Sequence, residues 1–289
     1  MPAPIVPLGE KKVGAMTYVT QGPGALDYFP YRYDASRLLF RGPRRDLEAP
    51  YVAFIGGTQT FGKFIEQPYP MKVEHLTGVT SANLGQQNAG LDVFANEPTV
   101  HGIAQNARVT VLEVLGAANQ SNRFYAVHPR RNDRFLRASG PLRKLYPDVD
   151  FTQFNFTQHM LNHLLETDPE RFGQIKRSLQ RAWVRRMERL MEALGDVVVL
   201  IDLSTKDECI DGQEQALSAP TFITNEMLHR LKQLSDGYVR MPPSTALNKE
   251  GTKGMVYSSF QVDAARALHG PDFHTQVAKA LLPVLDRLM

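Results

Sequence analysis

Short aliphatic runs closed by glycine recur in this chain with helix-length spacers between them, and that rhythm restricts the fold more than any other feature. Tyr51-Val-Ala-Phe-Ile ends at Gly56-Gly57, a second run covers 79–84, and a third, 109–115, ends at Gly116. Runs this short that are apolar almost throughout, without alternation, suit strands buried on both faces. Stretches with helical character at about 70–76 and 92–105 separate them. Strands and helices alternating in this way predict a parallel sheet covered by helices on both sides.

After Gly116 the alternation stops for about 80 residues. Segments 150–166 and 168–194 read as helices, the second with Phe172, Ile175, Leu179, Trp183, Met187 and Leu190 at helical spacing. The sheet resumes with Val197-Val-Val-Leu-Ile-Asp, followed by an acidic stretch (Asp207, Glu208, Asp211, Glu214), a helix near 225–234 and a strand over 237–241. A last helix over 272–288 has Asp272 as its expected N-cap. The expected organisation is an arm over 1–50, a core from 51–118 and 196–289, and an arginine-rich and helical insertion over 119–195. The fold class is α/β: three layers, α/β/α, with a mostly parallel sheet and a helical insertion after the third strand.

Composition narrows the function. The longest aliphatic run, 197–201, is far too short for a bilayer span, and 1–12 carries no apolar signal core, so no membrane association or export is expected. A lone cysteine, Cys209, permits no internal disulfide and no cysteine-pair metal site; a cytoplasmic protein without metal or cofactor is expected. The net charge is only +3, yet arginine outnumbers lysine 22 to 11. Arginine's planar fork grips carboxylate, phosphate or sulfate with two parallel hydrogen bonds, whereas lysine acts as a point charge. No nucleic-acid-binding signature accompanies these arginines. Those of 176–189 read as a solvated helix face partnered by Glu188 and Glu192.

Three glycine turns fall at the same edge of the predicted sheet, where ligands bind in open α/β folds. The first, Phe54-Ile-Gly-Gly-Thr-Gln-Thr-Phe-Gly62, presents the hydroxyl of Thr58. The second is Asn83-Leu-Gly-Gln-Gln-Asn-Ala-Gly90 and the third Gly116-Ala-Ala-Asn119. Glycine amides together with an asparagine side chain are what an oxyanion hole needs; the same residues also make ordinary tight turns.

These three blocks resemble those of the SGNH, or GDSL, hydrolase superfamily, whose sheet is of the flavodoxin-like α/β/α kind. Gly56-Gly57-Thr58 falls on the Gly-Asp-Ser turn that presents the nucleophile. The resemblance implies Thr58 as nucleophile and Gly85, Asn88 and Asn119 as oxyanion donors. Thr58 replaces serine, Gly57 replaces an acid, Asn88 stands where a glycine is expected, and the third block carries one extra residue. The C-terminal Asp-x-x-His is replaced by Asp263-Ala-Ala-Arg-Ala-Leu-His-Gly-Pro-Asp-Phe-His274. That leaves His274 or His269 as base and Asp272 or Asp263 as the orienting carboxylate. Over its length the chain also resembles an uncharacterised bacterial family, a domain of unknown function, through Gly24-Ala-Leu-Asp-Tyr, the 36–46 segment and the 121–135 segment. That resemblance implies no known activity.

The arginine excess concentrates at Arg123, Arg130, Arg131, Arg134, Arg137 and Arg143, with His128 among them and Asp133 the only acid. Arg123, His128, Arg130, Arg131 and Arg134 are expected to bind an anion, with Arg37, Arg41, Arg44 and Arg45 adding to that surface. The leading expectation is an esterase or acyltransferase acting on an acylated, anionic carbohydrate or metabolite. The alternatives are a non-catalytic relative that binds an anionic glycan or joins an assembly, and a transferase using a sulfated or phosphorylated donor. Whether the site is catalytic stays open between them, as does the oligomeric state.

Overall fold

A computed structural model describes residues 24–204, 222–242 and 251–289. The acidic stretch and Cys209 lie outside the described residues. Strand β1 (Tyr51–Ile55) is followed by the short helix α1 (Thr58–Phe61), α2 (Tyr69–Thr77) and β2 (Thr80–Asn83). Helices α3 (Leu91–Ala95) and α4 (Pro98–Gln105) lead to β3 (Val109–Glu113). The single helix expected over 92–105 is two, because Pro98 has no N–H to continue α3 and serves instead at the first turn of α4.

Between β3 and the next sheet strand lie a hairpin, β4 (Tyr125–His128) and β5 (Arg131–Ala138), then α5 (Gly140–Leu145), α6 (Thr157–Thr167) and the long α7 (Pro169–Ala193). The hairpin was not expected: the segment read as an arginine cluster is an antiparallel ribbon. Asp168 caps α7 by accepting the Arg171 N–H at 2.9 Å, with Pro169 in the first turn. Strand β6 (Val198–Asp202), α8 (Asn225–Lys232), β7 (Gly237–Arg240), α9 (Val262–Arg266) and α10 (Pro271–Leu288) complete the chain. Gly270, not Asp272, caps α10, and Asp272 sits exposed in its first turn.

The five-stranded sheet has the order β2-β1-β3-β6-β7 with every pair parallel, so the expected three-layer α/β/α class is the observed one. Its three central strands β1, β3 and β6 are buried on both faces, and period-two alternation sorts their side chains. Ala53, Ile55, Leu112 and Leu200 face the layer that contains α3, α4, α7 and α8. Val52, Phe54, Val111 and Ile201 face α2 and α10. The helical stripe of α7 is buried as its spacing requires, and the Trp183 indole N–H donates to the Leu115 carbonyl at 2.7 Å, pinning the helix to the end of β3. Arg186 of the presumed solvated face turns inward: it pairs with Asp92 at 3.0 Å and donates to Gln120, while Glu188 pairs with Arg230. Among the described residues no helix is long and apolar enough to cross a membrane.

Candidate functional site

The chain leaves β1 for β2 on one side and returns to β3 on the other, so the strand order reverses at β1. The carboxyl ends of β1 and β3 are therefore the place where an open sheet offers a crevice. Gly56, Gly57 and Thr58 lie there. A side chain at Gly56 would run into Thr60 Oγ1 and the Glu113 carboxylate, so only glycine fits. Glu113, the last residue of β3, fills the crevice from below. Its Oε2 accepts the Gly57 N–H at 2.8 Å and the Thr60 hydroxyl at 2.5 Å, and Thr60 is also bonded to Tyr69 Oη at 2.7 Å. Burial pushes the Glu113 carboxyl up, only partly offset by the bonds from Thr60 and Gly57; buried Asp202, at the end of β6, adds to the rise. Asp202 in turn accepts from Tyr238 Oη at 3.1 Å and the Ser204 N–H at 3.0 Å. Both carboxylates escaped the reading of the sequence. Their one signal was a lone acid closing an otherwise apolar strand.

Thr58 is half-buried, and its Oγ1 bonds to Asn88 alone: it receives the Asn88 N–H at 2.9 Å and donates to Asn88 Oδ1 at 3.4 Å. Asn88 has φ 55°, a left-handed turn that asparagine tolerates, and its Nδ2 donates to Asp133 Oδ2 at 3.3 Å. The structure thus joins Thr58, Asn88 and Asp133 in one chain of bonds. The other expected members are elsewhere. The Gly85 N–H is already taken by Asn83 Oδ1 at 3.0 Å, and a Cβ there would meet the backbone of Thr60 and Phe61; its glycine serves packing. The Asn119 carbonyl lies against Gly90.

The expected base is placed in the core. His274 is fully buried, stacked on Tyr69 with ring centroids 6.0 Å apart, and its Nδ1 accepts the Tyr69 N–H at 3.2 Å, which satisfies one open donor at the start of α2. Burial, then the charges of His269, Arg41 and Lys72, lower its pKa to about 3. His269 stacks on Phe273 at 4.0 Å, and burial lowers its pKa. Neither histidine is bonded to Thr58. Asp263 is solvent-exposed beside Arg266, and the Asp272 carboxylate accepts from Gln276. The base and orienting roles expected of these residues are thus not assembled around the threonine, because the helix start that should present them is built into the core beneath α2.

Beyond Asn88 opens a cleft of about 1300 Å³. One wall is the N-terminal arm, with Arg32, Arg37 and Leu38; the other is the β4–β5 hairpin, with His128, Arg130, Arg131 and Arg134. The 86–88 segment joins the two: Gln86 donates to the Leu39 carbonyl of the arm at 3.0 Å and Asn88 to Asp133 of the hairpin at 3.3 Å. Asn132 fixes the hairpin wall: fully buried, it accepts the N–H groups of Gly90 and Val93 at 3.0 and 3.2 Å and donates to the His128 carbonyl. His128 Nδ1 accepts the N–H of both Arg130 and Arg131 at 3.2 Å, so a neutral ring carries its proton on Nε2. Arg134 lies over Phe156 at 4.2 Å.

Not every expected arginine is in this cleft. Arg123 is exposed outside it, over Phe124. Arg45 makes a two-point pair with Glu74, and Arg44 stacks on Tyr33. Arg41 is buried and holds the arm to the core: its guanidinium donates to the carbonyls of Phe61, Gly62, Ile65 and Glu66, and burial lowers its pKa to about 10.

Residues 16–289 match the model of a family described as a domain of unknown function (DUF6473). No curated protein matches the chain.

Proposed function

We propose that this chain, which belongs to the DUF6473 family, binds an anionic ligand in the cleft between its arm and its hairpin. One observation carries the reading: arginines from two separate segments converge on a single cleft beside Asn88, and among the described residues only Asp27 and Asp133 oppose them there. Guanidinium groups that approach from different sides match an anion with several acceptor oxygens. The direct test is a binding screen of acidic small molecules and saccharides against the wild type and an Arg130→Ala/Arg131→Ala variant. Binding that survives the double substitution unchanged would remove the hairpin arginines from the reading.

A second reading, ester hydrolysis or acyl transfer at Thr58, has one observation in its favour. The Thr58 hydroxyl lies at the strand-order reversal with the Asn88 N–H directed at it. Its β-branch and the absence of a bonded base both weigh against fast chemistry. An ester and acyl-donor panel on wild type, Thr58→Ala and Thr58→Ser tests it: activity that Ser preserves and Ala abolishes would support the nucleophile, and activity indifferent to both would refute it.

A further inference from the structure

We infer that the cleft takes an acidic oligosaccharide bearing at least two anionic groups, one for each wall, and not a singly charged metabolite. This rests on the anion-binding reading above and specifies its ligand. Arg37 belongs to the arm; Arg130, Arg131 and Arg134 belong to the hairpin. None of these four is in an ion pair among the described residues, and only Arg134 is otherwise engaged, over the Phe156 ring. A single carboxylate or phosphate held by one wall would leave the other wall's arginine facing solvent. Two groups held apart by a scaffold engage both.

The size and the remaining lining identify the scaffold. About 1300 Å³ is above the range of roughly 300–1,000 Å³ typical for one small ligand. Between and beside the arginines stand acceptors: the carboxylates of Asp27 and Asp133, each with one oxygen already bonded (to the Phe29 N–H and to Asn88 Nδ2), and the amide of Gln87. Hydroxyl groups donate to such acceptors. At the rim Phe156, 43% exposed with Arg134 over one face of its ring, offers its remaining apolar surface to sugar C–H groups. A chain of sugars with spaced acidic groups meets all of these features together.

Titration calorimetry at fixed ionic strength tests the inference with galacturonate, tetragalacturonate, a sulfated tetrasaccharide, neutral maltotetraose and a thymidine tetranucleotide as probes. The proteins are the full chain, Arg37→Ala and Arg130→Ala/Arg131→Ala, each checked for unchanged melting. An acidic tetrasaccharide should bind at least about tenfold more tightly than galacturonate, since a second charge-assisted contact is added. Each variant should lose about tenfold on the tetrasaccharide. On galacturonate, only one of the two variants should lose affinity. Equal binding of monomer and tetramers would overturn the two-wall inference and leave the anion reading standing. Maltotetraose binding as tightly as the acidic tetramers would overturn the charge argument, and the tetranucleotide binding tightest would overturn the saccharide assignment. Binding of none of the anions would remove both the inference and the reading it rests on.

Discussion

Replacing His274 with asparagine should flatten the acid side of the stability profile. In the folded protein the imidazole is fully buried, Nδ1 is committed to the Tyr69 N–H, and Nε2 has no partner among the described residues. Its pKa falls from the ordinary 6.5 to about 3. The lowered value fixes the sign. Below pH 6.5 the unfolded chain takes up a proton that the folded chain refuses until about pH 3, so stability drops as the medium is acidified through that window. Each unit is worth about 1.4 kcal/mol, giving about 2 kcal/mol between pH 7 and pH 5 and about 4 kcal/mol by pH 3. Asparagine Oδ1 lies near the position of Nδ1 and can still accept the Tyr69 N–H, but it does not titrate. The smaller side chain leaves a void costing about 1–3 kcal/mol at every pH. Urea unfolding at pH 8, 7, 6 and 5, followed by the fluorescence of Trp183, the sole tryptophan, reads both effects. The wild-type and His274→Asn curves should converge by about 2 kcal/mol between pH 7 and pH 5, since all other titrations are common to both. Parallel curves would show that the ring is charged or solvated in the native state and would refute the argument.

Three further outcomes follow from buried polar groups. Glu113→Gln should raise the melting temperature at neutral pH. A carboxyl pushed up by burial contributes stability below its ordinary 4.5 that is lost as pH rises through the folded value, so the gain should grow from pH 4 to pH 7; a pH-independent difference would contradict it. Arg41→Lys removes the fork that reaches four carbonyls and should cost about 3 kcal/mol in urea unfolding, with a loss under about 1 kcal/mol excluding the anchoring role. Asn132→Ala strips the acceptor from the Gly90 N–H and should cost about 2 kcal/mol. It should also weaken anion binding in calorimetry, because the hairpin wall is no longer fixed; full affinity in a destabilised variant would separate the two.

The sheet was legible because a buried parallel strand leaves a local mark. Tyr51-Val-Ala-Phe-Ile and Val198-Val-Leu-Ile are apolar whichever face each residue meets, and both formed where they were read. Helix α7 was legible for the same reason, its stripe being a property of spacing. The hairpin was not. Arg131-Asn-Asp-Arg-Phe-Leu-Arg-Ala carries polar residues where a strand would show apolar alternation, and it is held by Asn132 reaching the 90–93 turn about 40 residues away in sequence. Among the arginines, composition gave the type and not the address. Arg37 and Arg41 are four residues apart in the same arm; one lines the cleft, and the other is buried against backbone carbonyls presented by 61–66. The histidines misled in a similar way. A His before or within the first turn of a terminal helix is the position expected for a base, but which way that turn faces depends on α2, and α10 packs His274 beneath it.

Glu113 accounts for where the proposed ligand space lies. In an open α/β sheet the crevice at the strand-order reversal binds anions because backbone N–H groups point into it. Here the Gly57 N–H and the Thr60 hydroxyl, two donors of that crevice, both point at the Glu113 carboxylate. An anion entering there would have to displace a carboxylate already holding those bonds, and would be repelled by it where it is ionised. Arg37, Arg130 and Arg131, in no ion pair among the described residues, lie further out, past Asn88, on the arm and the hairpin. Arg41 fixes the first of these segments to the core and Asn132 fixes the second. On the proposed anion-binding reading, recognition therefore passes from backbone amides at the sheet edge to arginine side chains on two anchored appendages. Removing the internal anion tests this directly. Glu113→Gln should leave cleft binding unchanged if the two places are separate, and a shift of more than about threefold would tie them together.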